Sequence, residues 1–196
     1  MKLYLIRHGE TDWNRLMRFQ GREDIPLNET GISQAEACGR ALAGAGVQAV
    51  FTSPLVRARR TGEIIAEQLA LPREAVQNLP ELIERDLGEY SGQYIKDRSD
   101  YFSISAGSEA GGMEPFAHVL ARMEKALEKL DKTSIPVIAA VSHGAAINVL
   151  IAGLSDYEMG TGKTKLSNGG ITIIEGNRRQ GFHITACNLP PSHKVR

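Results

Sequence analysis

The chain has 196 residues, 42% of them hydrophobic, and its 23 Lys and Arg side chains equal its 23 Asp and Glu side chains. A chain of this length buries one substantial core, so we expect a single domain over residues 1–196. The charge balance excludes a global field that would draw the protein onto nucleic acid or a membrane, and we expect neither partner. The 2 cysteines lie far apart without metal-ligand spacing, which is typical of a reducing compartment.

Short apolar runs at residues 3–6, 47–51 and 137–141 each end in a polar or glycine-containing loop that leads into a helical pattern. This arrangement predicts buried parallel strands. The first run is far too short to span a membrane, and no signal-peptide cleavage pattern follows it. We therefore expect a cytoplasmic protein.

Helical periodicity predicts four helices after these strands. Two further runs near the end of the chain are β-like. The alternation of strands and helices predicts an α/β fold, a three-layer sandwich with a mostly parallel central sheet flanked by helices on both faces. The helices cover about residues 30–43, a stretch with Pro54 in its first turn, about residues 115–130 and the segment after Gly144, and the β-like runs cover residues 170–174 and 182–186.

Two segments lack such periodicity. Residues 81–113 are rich in glycine, serine, tyrosine and charge, which predicts an irregular lid or insert over one edge of the sheet. Residues 190–196 contain two adjacent prolines and follow the last predicted strand. They are predicted to form a loose tail.

Polar residues follow three of the predicted strands, and the carboxyl ends of parallel strands meet at one edge of a sheet. A single histidine beside an arginine would more often be a structural or solvated side chain. The second His-Gly pair favours a functional role for both histidines, because it follows its strand in the same way as the first. The residues concerned are Arg7, His8 and Gly9 after the first strand, Ser53 and Arg57 after the second, and His143 and Gly144 after the third.

Five motifs in a fixed order resemble those of the histidine phosphatase superfamily, the phosphoglycerate-mutase-like enzymes. Together they extend over nearly the whole chain, and the short segment after the fourth favours the phosphatase branch. The motifs are RHGETDWN at residues 7–14, LNETG at 27–31, SPLVRARRT at 53–61, ERDLG at 84–88 and VSHG at 141–144.

The resemblance implies a phosphomonoester hydrolase that acts on a small phosphorylated metabolite through a phosphohistidine. It implies that His8 is the nucleophile and Glu84 the proton donor to the leaving alcohol. Glu84 is preferred because its distance to the glycine of its motif matches the family, and Glu81 is the alternative. The resemblance further implies that the phosphate is bound by Arg7, Arg57 and His143, with Asn14, Gln20, Gly21 and Gly144 completing the pocket.

Elementary chemistry agrees with these roles. Guanidinium forks match phosphate oxygens in pairs and stay charged, so two arginines can replace the magnesium of kinases, and we expect no metal and no cofactor. His8 must be neutral to attack, with its other ring nitrogen oriented by a backbone carbonyl. We expect partial burial and the phosphate dianion to keep Glu84 protonated until it donates.

Several alternatives stay open. Asn14 and Gln20 are equally explained as a helix cap and a turn residue, and Glu114 either caps a helix or occupies an acidic position seen in phosphatase members, at a fixed distance from Arg122. Many phosphatase members carry glutamate where this chain has Ser91, which affects substrate choice. A homodimer is one option for the oligomeric state.

The sequence disfavours three rival functions. A mutase acting on phosphoglycerate shares the chemistry, but mutases typically carry a longer insert than the segment between Gly92 and the third helix. A metal hydrolase is disfavoured, because two arginines beside the proposed ligands would repel a divalent cation. A catalytically silent phosphate-binding module would be free to lose the nucleophile or the acid, and both are present.

Overall fold

The computed structural model describes residues 1–95 and 110–195. Within these residues, six strands form one sheet in the order β3-β2-β4-β1-β5-β6. β1, β2, β3 and β4 run parallel to one another, while β5 is antiparallel to β1 and β6 is antiparallel to β5. The prediction of a mostly parallel sheet is therefore confirmed. The strands are β1 (Lys2–Arg7), β2 (Ala49–Thr52), β3 (Val76–Asn78), β4 (Val137–Ser142), β5 (Ile171–Asn177) and β6 (Gly181–Leu189).

The three central strands end level with one another. Arg7 of β1 pairs with Ser142 of β4, and Thr52 of β2 pairs with Val141 of β4. The backbone N–H of His8 then donates to the Ser142 carbonyl at 3.0 Å. The register therefore brings the residues that follow the three strands to one edge of the sheet, as the sequence predicted.

Five α-helices surround the sheet in the described residues, four of them near their predicted positions. The helix after β2 begins at Val56, so the prediction that Pro54 lies in its first turn was wrong. Its N-cap, Leu55, has extended backbone angles, because the chain turns over the sheet edge before the helix starts. The helices are α1 (Asp12–Arg15), α2 (Glu29–Leu42), α3 (Val56–Gln68), α4 (Phe116–Lys132) and α5 (Gly144–Leu154).

Alternate side chains of each strand face opposite layers of helices. Leu3 and Leu5 of β1 belong to the cluster that α4 and α5 cover. Tyr4 and Ile6 belong to the cluster that α2 and α3 cover. Both faces of the sheet are thus buried, which is the predicted three-layer sandwich and explains why the strands read as continuous apolar runs.

Three features differ from the sequence-based expectations or extend them. β3 was missed because it has only three residues and is mostly exposed. The prediction of a loose tail was wrong at Val195. Its side chain is buried against the α2 side of the core, and its N–H donates to the Ala41 carbonyl. The middle of the predicted lid, residues 96–109, lies outside the described residues, while Leu87 and Met113 pack on Phe19. None of the helices described is long and apolar enough to cross a membrane.

Two glycines allow the loop after β1 to lie directly on the first turn of α2. A β-carbon added to Gly9 would overlap the Gly31 carbonyl, and one added to Gly31 would overlap the Glu10 carbonyl. The Asn28 side chain caps the same turn by accepting from the Gly31 N–H at 2.9 Å. Backbone contact at this point therefore fixes the loop that carries His8.

We predict that Gly31→Ala lowers the free energy of unfolding by about 2 kcal/mol, because the added methyl group has no space and the loop must move. Urea denaturation measures the change. Ser33→Ala, on the exposed side of the same helix, is the control and should alter stability by less than about 0.5 kcal/mol. A Gly31→Ala protein as stable as the parent would show that the loop does not depend on this contact.

Candidate active site

His8 lies just beyond β1 with only 2% of its surface exposed. Its Nδ1 is 2.7 Å from the carbonyl oxygen of Gly9. A carbonyl can only accept, so Nδ1 carries the ring proton and Nε2 keeps its lone pair. The Arg57 Nε–H donates to that Nε2 at 3.3 Å, which agrees with this tautomer. The backbone carbonyl expected to orient His8 is therefore that of the next residue.

The electrostatic surroundings keep His8 neutral. Burial lowers the pKa of His8 well below its ordinary value of 6.5, and the charges of Arg57 and Arg7 lower it further. The bond to the Gly9 carbonyl acts in the opposite direction but does not reverse the shift. An unprotonated Nε2 is the form that a nucleophilic imidazole needs.

Arg57 is a buried charge held by backbone carbonyls. Its Nη2 donates to the carbonyl of Gly21 at 2.8 Å and its Nη1 to that of Glu23 at 2.6 Å. Burial lowers the pKa of Arg57 to about 10, against the opposing effect of Glu84, so the guanidinium stays charged near neutral pH. Gly21 has a φ of 51°, and its contact with the site is this carbonyl.

Arg7 and Gly144 lie against each other. The Nη1 of Arg7 donates to the Leu166 carbonyl at 2.6 Å. A β-carbon at Gly144 would be 3.4 Å from the Arg7 Nε, a tight contact. Gly144 therefore lets α5 begin close to the arginine, and its position suits a packing role as well as the predicted contact with phosphate.

His143 follows β4 and is fully buried. Its ring centroid is 5.1 Å from that of His8, with the planes inclined by 57°. Burial lowers the pKa of His143 well below 6.5, and the charge of Arg57 adds to this effect. The two imidazoles predicted to meet at the sheet edge are thus adjacent and neutral.

Glu84 is buried at the first turn of α5. Its Oε1 accepts from the N–H groups of Arg85 at 2.8 Å and Ala146 at 2.9 Å, and its Oε2 accepts from that of Ala145 at 3.2 Å. Two of these three donors belong to the first turn of α5, so the Glu84 side chain caps that helix. The side chain is 9% exposed, and the expectation that burial and a phosphate dianion together keep it protonated stays a prediction.

Glu81 lies elsewhere, against α4. Its Oε1 is 2.6 Å from Lys129 Nζ and 3.5 Å from Lys125 Nζ. Burial would raise the pKa of Glu81, but its hydrogen bond and ion pair with Lys129 lower it below the ordinary value. These ties to a different helix leave Glu84, and not Glu81, as the carboxylate associated with the two histidines.

Asn14 and Gln20 join one network around Thr11. The Asn14 Oδ1 accepts from the Thr11 N–H at 3.2 Å and completes a capping box for α1. The Gln20 Oε1 accepts from the Thr11 hydroxyl at 3.0 Å. Asn168 donates from its Nδ2 to the Asn14 Oδ1 at 3.2 Å and to the His8 carbonyl at 3.1 Å. The Asn14 Oδ1 is thus engaged, while its amide nitrogen has no hydrogen-bond partner among residues 1–95 and 110–195 and could donate to a ligand.

A second layer of charged side chains clamps the segment that carries Glu84. Arg122 on α4 binds both carboxylate oxygens of Glu114, at 2.9 and 3.0 Å, and its Nη1 donates to the Glu81 carbonyl at 2.9 Å. Arg22 donates to the Glu84 carbonyl at 3.2 Å and pairs with Glu114 at 3.2 Å. Glu114 is therefore not a helix cap, since the N-cap of α4 is Pro115; it is the centre of this clamp.

Sequence reasoning missed the supporting roles of three residues. Ser53 contacts His143, Asn168 contacts His8, and the Thr61 hydroxyl accepts from the Gly9 N–H at 3.1 Å. Ser53 and Thr61 lie inside a motif, so their positions were marked although their partners were not. Asn168 precedes the antiparallel β5, and no signal in its neighbourhood pointed to the site.

The carboxylate, thiol and imidazole side chains of residues 1–95 and 110–195 form no group of three that could hold a metal ion. Cys38 is buried and burial raises the pKa of its thiol to about 12. Both Cys38 and Cys187 are free thiols.

Comparison with known proteins identifies the class to which this fold and site belong. The model of the histidine phosphatase superfamily (branch 1) matches residues 3–189. The chain therefore belongs to the histidine phosphatase superfamily, and the predicted family is confirmed.

Individual relatives include phosphatases and mutases. The chain is 35% identical over 172 residues to the uncharacterized phosphatase PhoE of Bacillus subtilis (strain 168), covering 87% of this chain and 86% of that one. It is 36% identical over 163 residues to a probable phosphoglycerate mutase, GpmB, of Erwinia tasmaniensis, covering 78% and 74%. A phosphoserine phosphatase from Entamoeba histolytica, solved with phosphoserine, superposes with a TM-score of 0.77 at 30% identity, covering 95% and 96%.

The buried histidines predict a loss of stability in mild acid. The unfolded chain takes up protons at His8 and His143 near pH 6.5, whereas the folded chain holds both neutral to well below that pH. The unfolded state thus binds more protons as pH falls below 6.5, and each histidine costs up to about 1.4 kcal/mol of folding stability per pH unit. Urea unfolding in phosphate-free buffer between pH 7.5 and 5.5 measures this slope.

His8→Gln should reduce the slope by about half, because one of the two groups no longer titrates. His183→Gln, which changes an exposed histidine on β6, should leave it unchanged. A slope that is the same in all three proteins would contradict the assignment of lowered pKa values to the buried pair.

Proposed function

We propose that the protein is a phosphomonoester hydrolase in which Nε2 of His8 accepts the phosphoryl group of a small phosphorylated metabolite. The observation that carries this proposal is the pair of contacts on the His8 ring. Nδ1 is committed to the Gly9 carbonyl at 2.7 Å, and the lone pair of Nε2 faces the charged Arg57. A neutral, oriented nucleophile beside a guanidinium suits attack on an anionic phosphate.

The reaction proceeds in two transfers. First the Nε2–P bond forms as the ester P–O bond breaks, and the leaving alcohol takes a proton from Glu84. Water then attacks phosphorus, the Nε2–P bond breaks, and the Glu84 carboxylate removes a proton from the water. Inorganic phosphate is released and neutral His8 is regenerated.

The remaining residues stabilise charge. Phosphoryl transfer spreads negative charge over the equatorial oxygens, so fixed positive charges and hydrogen-bond donors around it lower the barrier. Arg57 donates to the His8 ring, the His143 ring centroid lies 5.1 Å from it, and Arg7 is close enough for its charge to lower the pKa of His8, which burial and Arg57 lower first. With these donors the chain supplies the charge stabilisation from its own side chains.

In the second transfer Glu84 acts as a carboxylate base, and three backbone N–H donors hold its two oxygens in place. For the first transfer it needs a proton. The phosphate dianion of an entering substrate favours protonation of a neighbouring carboxylate. We therefore propose that substrate binding itself prepares Glu84 to act as the acid.

The substrate class is supported by the relatives. The Entamoeba histolytica phosphoserine phosphatase was solved with phosphoserine, a small phosphorylated metabolite. Ser91, which stands where many members have glutamate, lies beside the loop that holds Arg57, because a β-carbon at Gly21 would be 2.8 Å from its Oγ. Ser91 is thus placed to influence which alcohol fits next to the phosphate.

A mutase is the second candidate, and the likeness to GpmB favours it. Both reactions pass through the same phosphohistidine and differ in whether water or a second hydroxyl takes the phosphoryl group. Stimulation of phosphoglycerate isomerisation by bisphosphoglycerate would select the mutase.

Three expectations remain predictions. The chain is proposed to form a single domain over residues 1–196 and to reside in the cytoplasm. A homodimer is one option for its oligomeric state. Limited proteolysis, fractionation of cells and sedimentation analysis test them in turn.

We predict that the purified protein hydrolyses an aryl phosphate in the presence of a chelator and that His8→Ala reduces the rate at least about a thousandfold, because the nucleophile is lost. Brief incubation with radioactive phosphoester should label the parent protein through an acid-labile, alkali-stable bond. His183→Ala removes an exposed histidine and is the control, which should keep both properties. Full dependence on added metal, or labelling of His8→Ala, would refute the mechanism.

We predict that the effect of Glu84→Gln depends on the leaving group. Phosphoenzyme formation from an alkyl phosphate should slow about a hundredfold or more, because the alkoxide needs a proton. Formation from p-nitrophenyl phosphate should change little, because nitrophenolate leaves without one. Rapid-quench measurement of the labelled intermediate separates this step from its hydrolysis. Glu81→Gln is the matched control, and equal losses with both esters would remove Glu84 from the role of acid.

A further inference from the structure

Ser53 and His143 form a fully buried pair at the ends of β2 and β4. The Ser53 Oγ lies 2.7 Å from the His143 Nε2, and both side chains have 0% exposure. We propose that Ser53 is a positioning residue that fixes His143 as the Nδ1–H tautomer, so that His143 presents a neutral N–H donor to the phosphoryl oxygens. Only the donation to phosphoryl oxygens rests on the proposed function.

The direction of the hydrogen bond follows from the neighbours of Ser53. The Leu55 N–H donates to the Ser53 Oγ at 3.3 Å. If the same oxygen also accepted from the His143 ring, the buried hydroxyl proton would have no acceptor among the described residues, so it points at the His143 Nε2. A neutral imidazole that accepts at Nε2 carries its proton on Nδ1.

The other ring nitrogen supports the same assignment. The His143 Nδ1 is buried and has no hydrogen-bond partner within the described part of the chain. An unpartnered buried polar atom is costly, and a catalytic role is one of the recognised reasons for it to persist. The His143 ring centroid is 5.1 Å from that of His8, so the ring is close enough to contact a phosphoryl group carried by His8.

The start of α5 explains why Nδ1 is not used within the protein. His143 is the N-cap of α5, a position whose side chain normally accepts from the second and third helical N–H groups. Those two groups, on Ala145 and Ala146, donate to Glu84 instead. Because Glu84 caps the helix, the His143 ring has no need of a lone pair on Nδ1.

The opposite tautomer would be harmful. With the proton on Nε2, a lone pair on Nδ1 would face the anionic oxygens, and the buried donor for them would be lost. A doubly protonated ring is opposed by burial and by Arg57, which lower the pKa of His143. The Ser53 hydroxyl therefore decides which of the two neutral forms is present.

Nitrogen NMR of the full-length, phosphate-free protein tests the tautomer directly. Uniform ¹⁵N labelling distinguishes protonated from unprotonated ring nitrogens, and His143→Gln identifies the signals. We expect a protonated Nδ1 and an unprotonated Nε2 in the parent, and tautomer averaging in Ser53→Ala. Ser142→Ala, which removes an equally buried hydroxyl bound to the Leu82 carbonyl, is the control and should keep the parent tautomer. A protonated Nε2 in the parent overturns the proposal.

Kinetics test the consequence. Ser53→Ala should lower kcat/KM for an aryl phosphate about tenfold to a hundredfold, as loss of an orienting outer contact typically does, while His8 still becomes labelled. Ser53→Thr keeps the hydroxyl and should restore most of the activity and the parent tautomer. Parent activity in Ser53→Ala together with an unchanged His143 tautomer overturns the inference and leaves the proposed function standing. Absence of any phosphohistidine in the parent would instead refute the function, with the tautomer still measurable.

Discussion

The burial of one guanidinium, that of Arg57, is the constraint on which the site depends. A charge removed from water is costly unless it is hydrogen-bonded, and here the carbonyls of Gly21 and Glu23 meet that need while His8 takes the third contact. Three segments distant in sequence must therefore come together for the charge to be tolerated. Burial lowers the pKa values of His8 and His143 and the charge of Arg57 lowers them further, so one interaction links the folding of the loop to the state of the nucleophile.

Glu84 combines a structural and a chemical task. As the cap of α5 it satisfies N–H groups that would otherwise need His143, and as a carboxylate beside the phosphate pocket it is the group proposed to move protons. The clamp of Arg22, Glu114 and Arg122 holds its backbone in place. A helix N-terminus that is capped by Glu84 thus leaves the His143 Nδ1 without a hydrogen-bond partner in the described part of the chain.

Periodicity was sufficient for the layers, because both faces of a parallel sheet are buried and its strands are recognisable as apolar runs. It failed where an element is too short to show a period, as in β3, or where a turn precedes a helix, as at Pro54. It also failed for the tail, since a single apolar residue, Val195, is enough to anchor a short segment to the core.

The sequence by itself determined the chemistry of the site: which imidazoles, guanidinium groups and carboxylate follow the strands, and in which family order they occur. Only the tertiary structure decided how each is held. The proton position on His8 depends on the Gly9 carbonyl, the choice of Glu84 over Glu81 depends on which helix each contacts, and the partner of His143 is Ser53. These are contacts between segments, and local sequence patterns carry no distances between segments.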